Sequence, residues 1–120
     1  MPTRYAMTSA EEIRRNLLKL ERQLGVESLH SLLEETVAYL TAAEQRLEQY
    51  RRNNDWDAIA RQMHQLKGSL VIYGSSELQK LLTIFQEEGR HQENGSLVDA
   101  VTVKIAEARA VVRSRIRELE

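Results

Sequence analysis

A chain of 120 residues favours one domain built on one hydrophobic core. With 42% hydrophobic residues, 29% charged residues and a formal net charge of −1, it reads as a folded, near-neutral domain. That excludes a disordered tail and leaves nucleic-acid binding without a basic patch.

Cysteine is absent, so disulfide frameworks, thiol nucleophiles and thiolate metal sites are out. No apolar run approaches the roughly 18 residues of a membrane span, and the polar start MPTRYAMTSAEE does not have the form of a signal peptide. A cytoplasmic domain is expected. Four of the five glycines (Gly25, Gly74, Gly89, Gly95) fall where a helix should stop or turn, and the one proline, Pro2, precedes all periodic sequence. No strand pattern occurs, so the fold class is all-α.

Apolar residues spaced by three and four divide the chain into five helices. The first spans about 9–24, with Ile13, Leu17, Leu20 and Leu24 on one stripe. Ser9 and Glu12 fit a capping box at its start, and Gly25 suits its stop. The second spans about 27–51, with Leu29, Leu33, Val37, Leu40, Leu47 and Tyr50. The third spans about 55–73, capped by Asp55 and carrying Trp56, Ile59, Met63, Leu66, Leu70 and Tyr73. The fourth spans about 75–88, with Leu78, Leu81, Leu82 and Phe85 and a possible capping box at Ser76 and Gln79. The fifth spans about 96–119, with apolar positions from Val98 to Leu119. Short connections favour antiparallel neighbours. The expected architecture is an antiparallel four-helix bundle with the first helix as a lid.

The third helix holds an anomaly. Gly68 lies inside it, where glycine costs about 1 kcal/mol relative to alanine. At about 100° per residue, the core stripe centres roughly 130° from His64. Gly68 falls about 40° from His64, Lys67 about 60° to the other side, Val71 about 20° away and Arg61 about 60°. One surface thus combines an imidazole, an ammonium, bare backbone and an aliphatic group. If the third and fourth helices turn at Gly74–Ser75, His64 and Gln86 lie equally far from the turn. Gln86 can then reach across to one imidazole nitrogen and leave the other free. A nucleophile with a positioned partner and a nearby cation is the arrangement of covalent catalysis. His30 and His91 lack such neighbours and read as ordinary surface histidines.

The segment HQLKGSLVIYG resembles the signature of histidine-containing phosphotransfer domains: His-x-Leu-Lys-Gly, a few residues, then Gly. His64, Leu66, Lys67, Gly68, Ser69 and Gly74 fit it, and Leu78 and the FQEEG segment with Gln86 suit the family.

The resemblance implies a phosphorelay carrier, with His64 taking a phosphoryl group from a receiver-domain aspartyl phosphate and passing it to another receiver. Lys67 would offset phosphate charge, Gln86 would orient the imidazole and Gly68 would clear the surface. Arg61 would add positive field for an acidic partner, or is a plain surface arginine. Implied partners are response-regulator receivers and an upstream hybrid sensor histidine kinase, met by a monomer. The receiver would bring Mg²⁺, with no cofactor held by this chain. No nucleotide-binding motif is present, so no autonomous kinase activity is expected.

After Ser69 the sequence departs from the small residues common in the family. Leu70, Val71, Ile72 and Tyr73 either form a docking patch or close the bundle. That bulk keeps a second function open: a non-phosphorylated adaptor of the same fold that binds a receiver or regulator.

Overall fold

The computed structural model describes residues 7–89 and 93–120. Pro2 and His91 lie outside them. The described residues form five α-helices: α1 Ser9–Leu24, α2 Val26–Arg52, α3 Trp56–Ser69, α4 Ser76–Ile84 and α5 Gly95–Leu119. A π-helical turn, Phe85–Gly89, continues α4, and no strand occurs among the described residues. All-α is the fold class.

One apolar cluster unites the helices. It runs from Ile13 and Leu17 through Leu33, Leu40 and Leu47 to Met63, Leu66, Leu82, Phe85 and Ile105, each 0–1% exposed. At about 25 cal/mol per Å², each such side chain contributes roughly 1.5–3 kcal/mol. The longest seam lies between α2 and α5, while α1 packs on α2, α4 and α5, and α3 on α2 and α4. Polar contacts mark the α2–α5 seam: the ion pairs Arg51–Asp99 and Glu44–Arg109, and His30 against Glu120 at the end of α5. Their order along the two helices shows that α2 and α5 run in opposite directions.

The helix ends differ in detail from the sequence expectation. At α1 the capping box is Thr8 with Glu11 rather than Ser9 with Glu12. Ser9 instead meets Glu77 and Lys104. At α4 the N-cap is Ser75, which accepts from the Leu78 amide at 3.1 Å. Ser76 does not cap its own helix. Its amide and hydroxyl both donate to the Glu12 carboxylate, the amide at 2.5 Å, so α1 supplies part of the N-terminal cap of α4. Asp55 caps α3 by accepting from the Ala58 amide at 3.2 Å.

The third helix is shorter than its apolar spacing implies. It stops at Ser69, and residues 70–74 form a turn closed by the Gly74 amide donating to the Leu70 carbonyl at 2.9 Å. Leu70 stays fully buried, so the hydrophobic period continues after the helix has ended.

Candidate functional site

The buried face of α3 carries Ala58, Ile59, Gln62, Met63 and Leu66. The opposite face presents Arg61, His64, Gln65 and Gly68 to solvent, with Lys67 half-buried. Pinning the apolar stripe to the core therefore turns His64 outward. The turn after Ser69 sends α4 back along α3, which brings Gln86, on the π-helical turn, level with His64.

Three side chains meet there. Gln86 Nε2 lies 2.8 Å from His64 Nδ1, and Lys67 Nζ donates to Gln86 Oε1 at 3.1 Å. The contact joins α3 to a residue 22 positions later. With Nδ1 engaged, Nε2 is the nitrogen left for a partner. One turn along, a Cβ built on Gly68 meets nothing within 4 Å. Packing inside the chain gives no reason for a glycine there. The surface beside the imidazole is bare backbone.

The end of α3 is tied down from the same neighbour. The Lys67 carbonyl, which lacks an intrahelical donor because the helix stops, accepts from Gln79 Nε2 at 3.2 Å. The side chain expected in a capping box at the start of α4 thus caps α3 instead. Lys67 is fixed at both ends, its carbonyl by Gln79 and its ammonium by Gln86.

A comparison with family models finds the Hpt domain, matched over residues 9–113. This chain belongs to the Hpt domain family. Neither the comparison with curated proteins nor that with solved structures returned a match. Hpt domains serve histidine phosphotransfer in two-component phosphorelays and interact with receiver domains and kinases. No helix among the described residues is long and apolar enough to cross a membrane.

The remaining sequence candidates of this Hpt domain separate. Arg61 is exposed and lines a groove of about 1140 Å³ beside His64. Val71 does not hold the helical position beside His64 that the wheel gave it, because the backbone leaves the helix at Leu70. It stands 66% exposed, with Ile72 at 39%. Of the bulky run, Leu70 and Tyr73 pack into the bundle, while Val71 and Ile72 face outward. The Ile72 carbonyl accepts from Asn16 Nδ2 at 3.3 Å, which ties the turn to α1.

The groove adds residues that spacing does not place beside His64. Tyr39, Arg46 and Tyr50 on α2 face Arg61 and Gln62 on α3 across it. Tyr39 Oη and Gln62 Nε2 are buried without a hydrogen-bond partner among the described residues. Gln62 was discernible in principle, since it is an amide adjoining the apolar stripe of Ile59, Met63 and Leu66. The α2 residues were not, because only the packing of two helices brings them beside the histidine.

Proposed function

We propose that this Hpt domain is a phosphorelay intermediate. His64 accepts a phosphoryl group from a receiver's aspartyl phosphate and passes it to a second receiver. What supports this reading above all is the combination at His64: an exposed ring with Nδ1 engaged at 2.8 Å, beside a glycine whose missing side chain serves no internal packing.

Phosphoryl transfer depends mainly on alignment and electrostatics. In this reading the Nε2 lone pair attacks phosphorus, the acyl-phosphate P–O bond breaks and its electron pair returns to the aspartate carboxylate. Lys67 offsets the charge on the transferring group, Gln86 orients the ring, and Gly68 lets the receiver's acidic pocket approach. Arg61 adds positive field and Val71 an apolar contact at the rim. The receiver contributes Mg²⁺, and this chain contributes no cofactor and no kinase activity of its own.

We read the architecture as an antiparallel four-helix bundle, α2 to α5, with α1 as its lid. It works as a cytoplasmic monomer with transient receiver contacts, downstream of a hybrid sensor histidine kinase.

The deciding experiment offers the domain a receiver carrying labelled aspartyl phosphate. Label should move to the wild-type chain, vanish in acid, survive base, and be lost completely in His64→Ala. Transfer should stop when a chelator removes Mg²⁺ from the receiver. An acid-stable label, or transfer persisting in His64→Ala, overturns the proposal. Binding of the receiver with no transfer would favour the adaptor.

A further inference from the structure

The hydrogen bonds around His64 carry information about its proton. An ammonium has donors and no acceptor, whereas a glutamine amide has one acceptor oxygen and one donor nitrogen. Lys67 Nζ at 3.1 Å from the amide therefore requires the oxygen to face it. The reversed amide would set two donors against each other. With Oε1 committed to Lys67, Nε2 faces His64 Nδ1 at 2.8 Å, and that nitrogen can only donate. Nδ1 must then accept, so it bears the lone pair and the ring proton sits on Nε2.

Nε2 is also the nitrogen that the proposed transfer uses. We infer that Lys67, acting through the Gln86 amide, holds the resting His64 ring in the Nε2–H tautomer, so that the nucleophilic lone pair is withheld until an incoming phosphoryl group draws the ammonium away. This rests on the carrier reading and deepens it, making Lys67 and Gln86 positioning residues that couple substrate arrival to the state of the nucleophile.

The proton inventory closes. When the phosphoryl oxygens take Lys67, Oε1 of Gln86 is released and the amide can turn over. The ring proton leaves Nε2 to water and water returns one to Nδ1, where Nδ1–H donates to Oε1. Nε2 then holds a lone pair and attacks phosphorus, the P–O bond to the aspartate breaks, and no further proton has to leave the ring. Because ring protons exchange through water, the relay lowers the population of the reactive form rather than locking it out. Its size is the fraction of Nδ1–H at rest.

The test reads nitrogen directly. Protein labelled with ¹⁵N-histidine is examined without phosphoryl donor at about pH 9, above the ordinary imidazole value of about 6.5 and below the lysine value of about 10.4. Long-range ¹H–¹⁵N correlation spectra separate a protonated ring nitrogen from a bare one, and a short histidine peptide measured alongside gives the unbiased proportions.

Wild-type His64 should be enriched in Nε2–H beyond the peptide. Lys67→Met should raise the Nδ1–H share about fivefold, the shift that one ordinary hydrogen bond is worth. Lys67→Arg should restore the wild-type spectrum. Gln86→Glu, which has no donor to offer Nδ1, should invert the ring to Nδ1–H. A wild-type ring that matches the peptide or is mainly Nδ1–H overturns the inference, as does a Lys67→Met spectrum equal to wild type. If Lys67→Met does not fold, Lys67→Leu is read in its place, and a spectrum equal to wild type overturns the inference in the same way. All readings are taken on unphosphorylated protein, so a carrier with the opposite tautomer refutes the relay alone. Failure of label transfer refutes the carrier and leaves the ring spectrum as it was.

Discussion

Gly68 and Gly74 belong to one sequence motif, yet their surroundings are opposite. A Cβ on Gly68 meets nothing within 4 Å. A Cβ on Gly74 would lie 2.7 Å from the Leu70 carbonyl oxygen, 3.1 Å from Leu78 Cδ2 and 3.3 Å from Leu70 Cβ. The first glycine leaves room outside the molecule, and the second is demanded by room lacking inside it. A motif is thus a superposition of requirements: in the proposed function one position answers to a partner, while the other answers to the turn that puts α4 beside α3. Only the packing tells them apart.

Substitution should separate the two positions. Gly68→Leu should lower receiver-driven phosphorylation of His64 by more than about tenfold, the equivalent of at least about 1.4 kcal/mol in the barrier. Its melting temperature should hold or rise, because leucine is a better helix former by up to about 1 kcal/mol. A Gly68→Leu protein that transfers normally would break the comparison at its functional end.

Gly74→Ala should do the reverse. Forcing a Cβ against the Leu70 carbonyl should cost about 1–3 kcal/mol in urea unfolding, while transfer per folded molecule stays near wild type. Unchanged stability would remove the internal reason for that glycine.

Glu12→Gln probes the other side of the same turn. It weakens the cap that α1 lends to α4 through Ser76 and should cost about 1 kcal/mol, the scale of an ordinary N-cap, again without touching transfer.

The smallest effect concerns Glu77. The hydrogen bond from Lys104, followed by that from Ser9, holds its carboxyl below the ordinary 4.5, and the same bond raises Lys104 above 10.5. Because the folded-state value of Glu77 is depressed, its contribution is complete above about pH 4.5 and fades as pH falls through the folded value. The raised lysine contributes fully below 10.5 and loses that contribution as pH climbs through its folded value. Urea midpoints of wild type and Glu77→Gln should differ slightly at pH 6 and converge as the pH falls below the ordinary 4.5 and through the lowered folded value. Equal midpoints at pH 6 would show that this exposed pair contributes nothing measurable.

The meeting of His64 and Gln86 is legible in the sequence, because a hairpin pivot and equal distances from it are sequence properties. The end of α3 was not. Leu70 and Tyr73 keep the helical period although the backbone has left the helix, since a turn can bury a leucine as well as a helix can. The periodicity of burial therefore carried the expectation four residues too far. Asp55 caps α3 as its residue type implies, but the two expected capping boxes do not form, for a related reason. Ser9, Ser76 and Gln79 have the residue types of local caps, but Glu77, Glu12 and the Lys67 carbonyl compete for them from other helices. Local spacing does not register such rivals. Nothing in the order of residues announced the π-helical turn either, as Phe85 keeps its place in the core.

The π-helical turn also decides which way Gln86 points. The amide of Phe85, where it begins, is shared between the carbonyls of Leu81 and Leu82, and π-helical turns recur where helices carry function. His64 stands in mid-helix on α3, whereas Gln86 stands on the wider coil of the π-helical turn. The angle at which its amide meets the imidazole is therefore set by that wider register, which an α-helical wheel does not describe.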